Sequence, residues 1–154
     1  MRTGIIIVWM AKTWTESALA RLREASGRSG GARREVVEFL GRQDCCLTAQ
    51  EIHDGVRSAG ARVGIATVYR ALDGLSGLGL VQRVDLGDGT SRFERADPSG
   101  DHHHHLVCGE CGKVEPFADP GLEDALERVA GGRGYDVAGH DVVLRGACED
   151  CRAA

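Results

Sequence analysis

Residues 48–75 read TAQEIHDGVRSAGARVGIATVYRALDGL, and the fold turns on this stretch. Thr48, with Glu51 three residues on, has the form of a capping box. Apolar residues follow at Ala49, Ile52, Val56 and Ala59, so a helix is expected to begin at Thr48. Gly60-Ala61-Arg62-Val63-Gly64 is a turn. Beyond it Val68, Ala71, Leu72 and Leu75 make one apolar stripe, which predicts a second helix from about Ile65 to Leu75. Two helices joined by a short glycine-containing turn are what a helix-turn-helix requires.

Upstream, Thr13-Trp14-Thr15-Glu16 is suited to cap a helix running to about Ala25, with Trp14, Ala18, Leu22 and Ala25 on one face. The run Ser26–Gly31 breaks it, and a further helix from Ala32 to about Gly41 turns Val36, Val37, Phe39 and Leu40 inward. Residues 1–9 are read as an extension outside the fold, non-native or disordered, with Met10 as an alternative start. The apolar run Ile5–Met10 is far shorter than the roughly 20 residues of a membrane span, and no signal-type cleavage site follows it.

Downstream, Leu80–Leu86 alternates, Gly87-Asp88-Gly89 turns and Ser91–Arg95 returns, which is a β-hairpin. Helices followed by a hairpin predict a winged helix over residues 10–97. Asp97-Pro98-Ser99-Gly100 links it to a second unit, residues 98–154. There the pattern reads strand (His102–Val107), strand (Lys113–Phe117), helix (Pro120–Ala130) and strand (His140–Arg145). The class is α+β. A unit of roughly 55 residues buries little core and needs a metal or a partner chain.

The net charge of −4 hides an asymmetry. Residues 1–84 hold 12 Lys/Arg against 8 Asp/Glu, a net of +4; residues 85–154 hold 7 against 15, a net of −8. A basic half that can meet phosphate and an acidic half that can hold cations is the expected division, with plain surface charge as the alternative. A cytoplasmic protein with no membrane partner is expected.

Cys108-Gly-Glu-Cys111 and Cys148-Glu-Asp-Cys151 are two Cys-x2-Cys pairs, the arrangement of a closed tetrahedral zinc site. Two disulfides are the alternative, disfavoured in a reducing compartment. Immediately before the first pair stands His102-His103-His104-His105. In a strand the side chains alternate, so His103 and His105 share one face and His102 and His104 the other. One strand can thereby serve two metal sites. Other candidate ligands are Cys45, Cys46, Glu94, Asp97, Glu123 and His140. Each has a plainer role: small buried thiol, strand-surface acid, turn former or helix-terminal acid. His53 is read as a packing or surface residue.

The chain resembles the ferric uptake regulator (Fur) family of bacterial metalloregulators from about Leu19 onward. The resemblance is carried by Gly64-Ile65-Ala66-Thr67-Val68-Tyr69-Arg70, by the histidine run with Cys108 and Cys111, and by the closing Cys148/Cys151 pair. It implies a metal-loaded homodimeric repressor of metal-uptake genes, binding double-stranded operator DNA at an AT-rich inverted repeat. By that resemblance Tyr69 packs on thymine methyls, Arg70 meets phosphate, and Thr67, Arg33, Arg34 and Arg28 belong to the DNA-facing set. It also implies a structural Zn2+ on the four cysteines and a regulatory Fe2+ or Zn2+ on Cys46, Glu94, His103 and His105. A second site would use His102, His104, Glu123 and His140.

Departures from the family pattern bear on the metal. Ferric regulators have histidine where Cys46 stands, and a thiolate there softens the site. Zinc regulators have an aspartate at the position of Gln82 and a cysteine near Ala96 or Asp97, both absent here. Glu94 directly after Phe93 is similar to the ferric branch, so the resemblance sides with iron over zinc, a zinc uptake regulator being the alternative. Two other classes compete: a zinc-binding interaction module that does not touch DNA, and a metallohydrolase built on the histidine run. The latter needs a pocket and an open coordination position. A chain this short offers no evident cleft, so neither enzymatic activity nor a small-molecule substrate is expected.

Overall fold

In the computed structural model, which describes residues 4–26, 30–97 and 102–153, the chain divides into two compact units, the second beginning at His102. The first opens with α1 (Gly4–Ser26). The helix therefore reaches back past the cap expected at Thr13, and residues 4–9 of the expected extension carry helical backbone. No proline stands in Ile5–Thr15 to stop it. Trp14, Ala18 and Leu22, four residues apart, are buried. They meet Val36, Val37 and Leu40 of α2 (Gly31–Leu40), with Phe39 packed at the edge.

The helix-turn-helix is α3 (Ala49–Ser58) and α4 (Ile65–Gly77). The capping box at the head of α3 is complete: the Glu51 N–H donates to Thr48 Oγ1 at 3.1 Å, and the Thr48 N–H donates to Glu51 Oε2 at 2.7 Å. Ala49, Ile52 and Val56 are buried, but α3 ends at Ser58 and Ala59 is exposed rather than inward-facing. Gly60, at φ 98°, takes the left-handed turn that a side chain resists. A Cβ at Gly55 would overlap the Phe39 ring, so glycine is what lets α2 and α3 approach. His53, read as a packing residue, places Nε2 3.1 Å from the Val63 carbonyl and ties α3 to the turn. Val68, Ala71, Leu72 and Leu75 of α4 complete the core with Ile52 and Val56.

The hairpin is β2 (Val81–Asp85) and β3 (Ser91–Arg95), in register from Val81 opposite Arg95 to Asp85 opposite Ser91. A two-residue strand that the sequence pattern does not announce, β1 (Leu47–Thr48), pairs with the far edge of β3, giving the order β1-β3-β2. Its register sets Leu47 against Phe93 and Thr48 against Arg92. Helices with this sheet make the first unit a winged helix.

In the second unit β4 (His104–Cys108) lies between β5 (Val114–Phe117), antiparallel, and β6 (Val143–Gly146), parallel. The expected strand at His102 begins two residues later. Pro116 sits on the edge strand, where its missing N–H costs no ladder bond. Helix α5 (Pro120–Gly132) starts with Asp119 capping the Leu122 N–H at 2.9 Å, and a short α6 (Glu149–Arg152) follows Cys148. Among the described residues of this unit no aliphatic side chain is buried; His104, His105 and Cys108 are. Val129 (60% exposed), Tyr135 (74%), Val137 and Leu144 face outward.

Candidate metal centres and the recognition helix

The turn after β4 and the start of α6 bring Cys108, Cys111, Cys148 and Cys151 together, their sulfurs all within 4.8 Å of one another. Cys111 Sγ and Cys148 Sγ are 3.8 Å apart. For Zn–S bonds of about 2.3 Å a tetrahedron puts sulfurs about 3.8 Å apart. All four are thiols rather than disulfides. The N–H groups of Cys111 and Cys148, the latter 3.3 Å from the sulfur, pull the Cys108 thiol down to about 6. The thiols of Cys148 and Cys111, foremost, push Cys151 up to about 12. Four such groups cannot all ionise without a cation among them, and the donor set fits zinc.

A second group gathers within the same unit. Glu123, in the first turn of α5, directs both oxygens at imidazoles: Oε1 is 2.7 Å from His104 Nε2, and Oε2 is 2.9 Å from His140 Nε2 and 3.5 Å from His102 Nε2. The His102 and His140 Nε2 atoms are 3.1 Å apart. The His104 bond first, with the fields of His140 and His102, holds the Glu123 carboxyl below its ordinary 4.5. His104 is buried, and its Nδ1 accepts the Val142 N–H at 3.3 Å. A neutral His104 thus presents its Nε2 proton to Glu123, so an ion at Nε2 would require the ring to give up the Val142 bond. Glu123 is more than a helix-terminal acid: three imidazoles converge on it.

His103 and His105 lie elsewhere. Their rings stack edge-on with centroids 5.0 Å apart, while His102, His104 and His140 form a separate ring cluster at 4.7–5.2 Å. The alternation of an extended segment sorts the four histidines, although only His104 and His105 belong to the strand proper. Cys46 and Glu94 belong to the first unit. Extending the β1–β3 register by one residue sets Cys46 opposite Glu94. Gln82, the β2 partner of Glu94, donates to Glu94 Oε1 at 2.5 Å. Cys46 is held well above the ordinary thiol range, by the Cys45 thiol first, then by burial and by the Glu94 carboxylate.

On α4, Tyr69 is 50% exposed and is not a core residue. Arg70 is exposed and donates to the half-buried Thr67 Oγ1 at 3.2 Å. Arg34 is engaged locally by Glu38 at 2.7 Å, and the Arg33 guanidinium lies beside Gly74 of α4. Arg28 lies outside the described residues.

A winged helix with an exposed aromatic and arginine on its second helix, followed by a small unit carrying two clusters of metal-type donors, defines a metal-binding protein of the winged-helix class. The sequence matches the ferric uptake regulator family over residues 24–145, and the chain belongs to that family. It is 30% identical over 138 residues, 89% of this chain and 94% of the relative, to the ferric uptake regulation protein of Neisseria meningitidis serogroup C. Among solved structures, the Helicobacter pylori ferric uptake regulator Fur superposes with a TM-score of 0.79 at 30% identity, covering 90% of this chain and 93% of that one. The Vibrio cholerae ferric uptake regulator superposes at 0.73 with 31% identity, covering 84% and 98%.

Proposed function

We propose that the chain is a cytoplasmic, metal-responsive transcriptional repressor that binds an AT-rich inverted repeat as a metal-loaded homodimer and controls metal-uptake genes. The effector is iron(II) or zinc. One observation carries this proposal: the histidine segment divides its donors between two faces. His102 and His104 are occupied with Glu123 and His140 inside the second unit, while His103 and His105 form a separate pair. The Helicobacter pylori relative has three functional metal binding sites. The present chain has a matching number of donor sets if His103 and His105 join Cys46 and Glu94.

Exposed Tyr69 and Arg70 on α4 favour a major-groove reader, with Tyr69 against thymine methyls and Arg70 on phosphate. The bare second unit favours a homodimer: with no aliphatic side chain buried among its described residues, its exposed Val129, Tyr135, Val137 and Leu144 need a partner surface. An effector ion shared by the two units supplies a cross-link. Cys46 and Glu94 on the reader side, and His103 and His105 on the dimer side, then hold the two recognition helices at a spacing that fits successive major grooves. Coupling of this kind amounts to about 1–3 kcal/mol, and DNA tightens metal binding by the same factor. Replacing His103 and His105 by alanine is expected to abolish metal-stimulated operator binding while leaving the far-UV circular dichroism and the cysteine-bound zinc intact. Full metal stimulation in that variant would refute the assignment.

A further inference from the structure

Cys45 and Cys46 precede β1 in a bend, where the chain is not yet extended. Neighbours in a regular strand point to opposite faces; here the bend turns both thiols the same way, and their sulfurs are 4.0 Å apart. These two sulfurs and a Glu94 carboxylate oxygen all lie within 4.8 Å of one another, three donors of a single unit. Sulfurs sharing a tetrahedral zinc ion sit about 3.8 Å apart, the separation of Cys111 and Cys148 in the cysteine cluster. The pair at 4.0 Å needs little adjustment to match it.

Two ordinary roles for adjacent cysteines fit poorly. A disulfide normally spans about 4.4–6.8 Å between Cα atoms, whereas consecutive Cα atoms across a trans peptide are about 3.8 Å apart. Core packing alone does not account for it: Cys46 is buried, but it is not a member of the apolar cluster of the first unit, and a carboxylate lies beside it. Glu94 is itself oriented, because Gln82 donates to its Oε1. Such an outer partner fixes a ligand in its binding geometry.

We propose that Cys45 and Cys46 act together as a paired thiolate ligand, with Glu94 as the third donor from the first unit, and that this pair makes the effector site selective for zinc-class ions over iron(II). The inference rests on the regulator reading above and reverses the preference for iron that the resemblance drew from Glu94, Gln82 and the missing cysteine near Ala96 or Asp97. Soft thiolates favour zinc and its heavier congener cadmium, whereas imidazole and carboxylate by themselves do not discriminate. Each thiol gives up its proton to the medium as the ion binds.

The test uses the whole chain as the proposed dimer, with its four-cysteine cluster already filled with zinc, and cobalt(II) as probe. The unmutated protein should show a near-ultraviolet sulfur-to-cobalt charge-transfer band. Cys45→Ser and Cys46→Ser should each remove about half of it, and the double variant all of it. Zinc affinity should fall at least about tenfold in Cys45→Ser, the lower end of what loss of even an outer partner costs, with a smaller change for iron(II). Cys45→His should restore zinc binding but not the lost half of the band. Alkylation footprinting of the unmutated chain guards against misfolded variants: one added equivalent of zinc should protect both Cys45 and Cys46. A band indifferent to Cys45, or alkylation of Cys45 while Cys46 is protected, overturns the paired ligand even if operator binding still depends on metal. Metal-independent operator binding beside an intact two-sulfur band would overturn the regulator reading instead.

Discussion

Glu123 shows how one side chain changes meaning with its surroundings. At the first turn of a helix an acid is ordinary; here three imidazoles converge on its two oxygens. Its folded-state pKa lies below the ordinary 4.5, so the stability it contributes is fully present above that value and is lost as pH falls through the lower folded value. In metal-free protein the urea midpoint of Glu123→Gln should therefore lie below that of the unmutated chain near neutrality, and the two should converge on acidification. Parallel curves throughout would show that the carboxylate is not tied to the imidazoles. The presence of Glu123 and His140 as candidate partners was legible from sequence, because the histidine run demanded acids and imidazoles elsewhere. The pairing of Cys45 with Cys46 was not, since it depends on a bend whose angle no residue pattern encodes.

Among the elements, α3 and α4 were the most readable, because a capping box and an apolar stripe are local signals. The box closes as the sequence implied, with both reciprocal bonds formed. Thr48→Ala should cost about 1 kcal/mol, read as a fall in the urea midpoint; no change would mean that α3 is fixed by packing alone. Strand β1 escaped the sequence reading for the opposite reason. Two residues have no periodicity, and Leu47–Thr48 is a strand only because β3 offers an edge. That short pairing matters beyond its length, since it sets Cys46 opposite Glu94. In the same way α1 overran its expected cap, and α6 was invisible as a single turn after Cys148. The histidine segment held its alternation even where His102 and His103 lie outside the ladder. The face assignment thus survived an error in the strand boundary.

At the scale of the molecule, the two units solve the problem of stability differently. The first buries an apolar cluster running from Trp14 to Phe93. The second buries two histidines and a cysteine but no aliphatic side chain among its described residues, so metal and the partner chain of the proposed homodimer would supply what a core does not. Val129→Asp together with Leu144→Asp places charge on its exposed apolar residues. Sedimentation velocity should then show monomers at micromolar concentration where the proposed homodimer of the unmutated chain sediments as a dimer; an unchanged dimer would place the interface elsewhere. The charge division between the halves, legible from composition alone, fits a basic reader and an acidic metal-binding unit.

The most direct measurement is operator affinity at fixed salt while buffered free zinc and iron(II) are varied separately. Affinity should rise about 5–150-fold as the effector site fills, the range of ordinary allosteric coupling, and zinc should achieve this at the lower free concentration. Equal affinity with and without either ion, at salt where the protein still binds DNA, would contradict metal control of this winged helix.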